Sequence, residues 1–222
     1  MKTSLRFLII VGVSAPAGSL RLEARTRPPE MELTIRVFNV APVPAATIAA
    51  AENDASYIFR RAGIAIAWLD CTHGGNPGCA RPFQPAELSL RILPQMSGHR
   101  PDAVGVAYQA PEGGVYATVA YQPIKERAAR PDLISQTLSR VMAHEVAHLL
   151  GESHSFGGNM RAEWWVSDLA YSRGFRVTFS ANQAAAMRQE LRRRMEESRN
   201  VGPSQGPPPD AAELVSSIAG RP

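Results

Sequence analysis

The chain has 222 residues, 45% of them apolar, and a formal net charge of +4. That is enough apolar material for one domain, or two closely packed lobes, with a real core, and it excludes wholesale disorder. Lys2 and Arg6 lie in the first 17 residues, so the charge falls from +4 to +2 without them, and neither nucleic acid nor an anionic membrane is an expected partner.

Residues 1–17 combine those two charges with an apolar run over 7–13 and small residues at Ala15 and Ala17, the pattern of a secretory signal peptide. The run is too short, and too soon broken by Pro16, to span a bilayer as a stable helix. The expected mature protein is secreted or periplasmic, with no membrane as partner. Residues 18–32 form a polar, arginine-rich lead-in, and residues 33–200 the expected folded domain. Over 33–40, Leu33, Ile35 and Val37 alternate with Thr34 and Arg36, the period of a half-buried strand. Ile48, Ala51, Ala55, Ile58, Phe59 and Ala62 recur at helical spacing over 47–62, with Gly63 as the stop. Residues 64–69 read as a second strand, which makes a β-α-β unit and a parallel pair.

Cys71 and Cys79 bracket a Gly/Pro-rich loop. In an exported chain two such close cysteines predict a disulfide pinning that loop. A metal pair completed by His73 is the alternative, at a spacing wider than the usual zinc knuckle. Residues 88–93 are a third strand. Residues 104–109 and 115–121 flank a Pro-Glu-Gly-Gly turn at 111–114 and predict a hairpin. A long helix follows over 133–150, opened by Pro131 and Asp132 as breaker and N-cap. Ile134, Leu138, Met142, Val146 and Leu149 give it one apolar stripe, and Gly151 ends it. Trp164 and Trp165 suit a core or lobe interface better than a substrate contact. A last helix is expected over 182–197 with Ser180 as its N-cap. Its arginines (Arg188, Arg192, Arg193, Arg194) alternate with Glu190, Glu196 and Glu197 as a solvated mixed-charge face. Residues 201–222 are Pro-rich and linker-like, an expected disordered tail.

The chemistry concentrates in residues 144–154, which read His-Glu-Val-Ala-His-Leu-Leu-Gly-Glu-Ser-His. Residues four apart share a helix face, so His144 and His148 project into one cleft. A helix running on would carry a third ligand past the metal. Gly151 can take a left-handed conformation, swing the chain back and deliver His154. Three neutral imidazoles holding one zinc ion leave a fourth position for water, the arrangement of a catalytic site. Glu145, beside the first ligand, is placed to act as general base.

This run resembles the metzincin clan of zinc metallopeptidases, whose motif H-E-x-x-H-x-x-G-x-x-H is complete here. Ser155 to Met160 resembles the clan's Met-turn, with Met160 as its methionine. The resemblance implies an α+β domain: a mixed β-sheet with a backing helix and an active-site helix, then a small irregular lobe with a C-terminal helix. It also implies an endopeptidase with a protein or peptide substrate extended along an edge strand, either 104–109 or 115–121. Trp164 would then help wall the pocket beyond the cut. No tyrosine directly follows Met160, so a tyrosine ligand is not implied, Tyr171 being a distant candidate. Two other readings keep the same residues: a non-catalytic secreted zinc-binding module, and a metallohydrolase of small amides or cell-wall peptides.

Overall fold

The computed structural model describes residues 31–98, 103–108, 115–128, 130–162 and 177–200. The expected signal, tail and 111–114 turn, with Trp164, Trp165 and Tyr171, lie outside the described residues. Five strands form one sheet in the order β2-β1-β3-β5-β4: β1 (Met31–Asn39), β2 (Ile64–Asp70), β3 (Glu87–Leu93), β4 (Gly105–Tyr108) and β5 (Tyr116–Ala120). All neighbours are parallel except β4, which runs antiparallel to β5, so the sheet is mixed. The β-α-β unit forms as its pattern predicts, with β1 and β2 parallel across helix α1 (Ala45–Arg61). The hairpin pairs Gly105 with Val119 and Tyr108 with Tyr116. Among the described residues only β4 of the two edge candidates is an edge, because β5 is paired on both sides.

One face of the sheet carries the core. Leu33, Ile35 and Val37 of β1, Leu88, Leu90 and Ile92 of β3, and Ala117 and Val119 of β5 are all buried. They pack against Ala51, Ile58 and Phe59 of α1 and against α4 (Ile134–Leu149). Each fully buried Leu, Ile or Phe stabilises the fold by about 1.5–3 kcal/mol. Packing on this face, more than helix propensity, therefore holds α1 and α4 in place. In α4 burial runs from Thr137 through Ala147, well beyond one stripe, because the helix is covered on several sides.

Four local expectations are corrected. Asp132 does not cap α4: it lies in a 3₁₀ turn (Pro131–Leu133), where Arg130 Nε donates to its carboxylate at 2.9 Å. Residue 121 does not end a strand, since it begins a short helix, α3 (Tyr121–Arg127), directly after β5. The polar side of β1 does not face water. The disulfide loop, with its one-turn helix α2 (Pro77–Ala80), covers it and leaves Arg36 only 2% exposed. There Arg36 donates to Glu87 at 2.8 Å, to the Cys79 carbonyl at 3.0 Å and to the Pro82 carbonyl at 3.2 Å, and its guanidinium lies over the Phe83 ring. Cys71 and Cys79 are joined as a disulfide, which removes the metal-pair alternative.

The fourth correction concerns the last helix, α5 (Ala181–Asn200). Ser180 caps it as expected: its Oγ accepts from the Gln183 amide at 3.3 Å while Gln183 Oε1 accepts from the Ser180 amide at 2.9 Å, a reciprocal box. Arg193 sits in the expected ion pairs with Glu190 and Glu197. Arg188 and Arg194 instead reach inward, Arg188 to the Ala62 carbonyl and Arg194 to the Leu149 carbonyl. They satisfy carbonyls that α1 and α4 leave unpaired at their C-termini, and so fasten α5 to both helices.

Candidate metal centre

Helix α4 ends in a left-handed turn. Gly151 has φ +87°, its N–H donates to the His148 carbonyl at 3.0 Å, and the Glu152 N–H donates to the Ala147 carbonyl at 3.0 Å. These two bonds form a Schellman motif, which a glycine at this position permits without steric penalty. The reversal carries the Glu152 carbonyl back to His148, whose Nδ1 donates to it at 2.6 Å. It then brings His154 against the other two rings.

Beyond His154 the chain closes on itself. The Ser155 N–H donates to the Met160 carbonyl at 2.8 Å, and Gln183 Nε2 donates to Ser155 Oγ at 3.2 Å. The 3₁₀ turn Gly158–Met160 packs on α4 with Met160 fully buried. It aims the Asn159 carbonyl at His144 Nδ1, which donates to it at 2.7 Å. The Asn159 side-chain amide is itself buried and among the described residues has no hydrogen-bond partner.

These main-chain bonds determine which ring nitrogens face each other. A carbonyl only accepts, so Nδ1 of His144 and of His148 carries the proton, and each neutral ring presents a bare Nε2. His144 Nε2 lies 3.0 Å from His148 Nε2, which lies 3.2 Å from His154 Nε2. Without a proton between His144 and His148 that first approach sets two lone pairs against each other, and a cation among the three rings would turn repulsion into ligation. Two nitrogens on a tetrahedral zinc with Zn–N of about 2.0–2.1 Å stand about 3.3 Å apart. The donor set and its spacing therefore fit zinc. Among the described residues these three imidazoles are the one group of His, Cys, Asp or Glu side chains close enough to share a metal ion.

Electrostatics favour neutral rings as well. Burial lowers the pKa of His144 to about 4, with His148 and His154 pushing the same way against the Asn159 carbonyl. Burial also lowers His148. Glu145 is 5% exposed, and burial raises its carboxyl to about 8. A cation in the histidine cluster would act on that carboxyl in the opposite sense.

The structure thus brings His144, His148 and His154 together, with Glu145 and the 155–160 turn beside them. Sequence reasoning missed the carbonyls of Glu152 and Asn159, for which no side-chain signature exists. It also missed Gly105, at the start of β4, which abuts Glu145.

No protein-family model matches the sequence. No curated protein matches it either. Among solved structures the chain is similar to archaemetzincin from Methanopyrus kandleri, at a TM-score of 0.48 and 14% sequence identity, covering 77% of this chain and 99% of that one.

Proposed function

We propose that this chain is an exported zinc-dependent endopeptidase in which His144, His148 and His154 hold one zinc ion and Glu145 is the general base. The observation that carries the reading is the convergence of three Nε2 atoms, two of them on rings locked through Nδ1 to main-chain carbonyls. When bound, zinc supplies a Lewis acid that polarises the scissile carbonyl and lowers the pKa of water at its open position. The chain's own residues do the rest. Glu145 takes the proton of the attacking water on one carboxylate oxygen and returns it to the leaving nitrogen as the C–N bond breaks. Burial of Glu145 strengthens both transfers by excluding bulk water.

The sheet supports one place for the substrate. Among the described residues β4 pairs only with β5, so its outer edge offers unpaired main-chain groups next to α4. An extended peptide adding to that edge would lie beside Glu145. The Cys71–Cys79 disulfide supports an oxidising compartment, in keeping with export.

The test is hydrolysis of casein by the zinc-loaded mature protein and by Glu145→Ala, with metal content measured on both. Chelator-sensitive cleavage by the wild type alone, with zinc in both, is the expected result. Zinc in both and cleavage by neither would refute the endopeptidase reading, and parallel assays on small amides and cell-wall peptides would identify the narrower hydrolase. No zinc uptake by either would refute the metal centre.

A further inference from the structure

We infer that Gly105 is a positioning residue for Glu145: the bare backbone at the start of β4 leaves the space in which the general base is held. The inference rests on the reading of Glu145 proposed above and extends it to a residue outside the histidine motif.

A Cβ added to Gly105 would lie 2.3 Å from Glu145 Oε1 and 2.6 Å from both its Cδ and Cγ. Packed heavy atoms stand at about 3.5–4.0 Å, so any side chain here would displace the carboxylate by about 1 Å or more. Those three Glu145 atoms are the nearest ones the new carbon would meet. Gly105 is not among the positive-φ glycines, so the strand backbone itself accepts alanine. The clashing atoms, Cγ, Cδ and Oε1, all lie beyond the Glu145 Cβ, so rotation of that side chain can relieve the contact while strand and helix stay.

The register gives the reason for the close approach. Residues 105 and 107 of β4 share the face turned to α4, and both are small, Gly105 opposite Val119 and Ala107 opposite Ala117. Ala107 packs against the core. This strand therefore runs closer to α4 at Gly105 than a side chain would permit. A base displaced by about 1 Å loses alignment with the water it must deprotonate, an error that can lower a rate about 100-fold.

The experiment compares wild type, Gly105→Ala, Glu145→Ala and the double variant. Zinc content, thermal unfolding of the metal-free proteins, and kcat and KM on casein-derived peptides are read for each. Gly105→Ala should keep one zinc per chain, lower kcat about 100-fold and leave KM within about threefold. Added to Glu145→Ala, it should lower neither the residual rate nor the melting temperature further, because the side chain it collides with is gone. Wild-type kcat in Gly105→Ala with zinc bound would overturn the inference. So would a drop in melting temperature or zinc content that persists in the Glu145→Ala background, which would make the glycine's role structural. A wild type that cleaves nothing would refute the peptidase reading instead. The coupling of the two melting temperatures would then still decide whether Gly105 sets the place of Glu145.

Discussion

Replacing Gly151 isolates the turn that delivers the third imidazole. A Cβ on Gly151 meets no atom within 4 Å, so the cost of alanine lies wholly in the backbone at φ +87°. Holding an L-residue in the left-handed region costs about 1–2 kcal/mol. Alanine also restricts the unfolded chain, which offsets about 0.4–1 kcal/mol of that. The net is about 1 kcal/mol, or a fall in melting temperature of about 2–4 °C for a domain of this size. The chain can relieve part of this strain by opening the turn. That would move the Glu152 carbonyl off His148 Nδ1 and carry His154 with it. Losing such an orienting bond weakens metal affinity about 10-fold or more. Thermal unfolding in chelator and competition for zinc against a chromophoric chelator measure the two effects separately. Asparagine, which tolerates the left-handed region better, should fall between glycine and alanine in both. Gly151→Ala as stable as the wild type, or Gly151→Asn worse than Gly151→Ala, would refute the claim that positive φ is what this glycine provides.

Three further outcomes follow from the packing. Hydrogen bonds from Arg193, then Arg194, hold the Glu190 carboxyl at about 2 against an ordinary value of 4.5. A depressed folded pKa means that its contribution is complete above 4.5 and is lost as pH falls towards 2. Glu190→Gln should therefore lose less thermal stability than the wild type between about pH 5 and pH 2, measured by melting at each pH. Replacing Cys71 and Cys79 together by serine opens a short loop and should cost about 2–3 kcal/mol in denaturant unfolding, with zinc content unchanged. Arg36→Ala removes one charged hydrogen-bond partner from Glu87, whose side chain is 0% exposed, while Arg81 stays paired with it, and should cost about 1.5–3 kcal/mol in the same assay.

What could be read in advance was whatever a local period encodes. The 3.6-residue spacing put His144 and His148 on one face, the glycine predicted the reversal to His154, and the alternations predicted strands that do pair as a β-α-β unit and a hairpin. Arg36 shows where periodicity stops. An alternating strand states which side chains share a face, not whether a loop 40 residues later will cover that face. The loop does cover it, and the burial of Arg36 beside Glu87 follows from a tertiary contact that no window on β1 contains. Arg188 and Arg194 were hidden for the same reason: on α5 they look like their neighbours, and only the unpaired carbonyls of α1 and α4 distinguish them.

The parts of the centre that escaped the sequence are its backbone parts. Asn159 and Glu152 act through carbonyls that every residue possesses, so their identity carries no message. Gly105 acts through an atom it lacks, against a side chain 40 positions further along the chain. The two kinds of group differ in what mutation can do to them. Substituting Asn159 or Glu152 leaves the carbonyl in place and can disturb His144 or His148 only by moving the turn, whereas any side chain at Gly105 strikes Glu145 directly. Metal affinity at the proposed centre should thus tolerate side-chain replacement at 152 more readily than the proposed hydrolytic step tolerates even one carbon at 105.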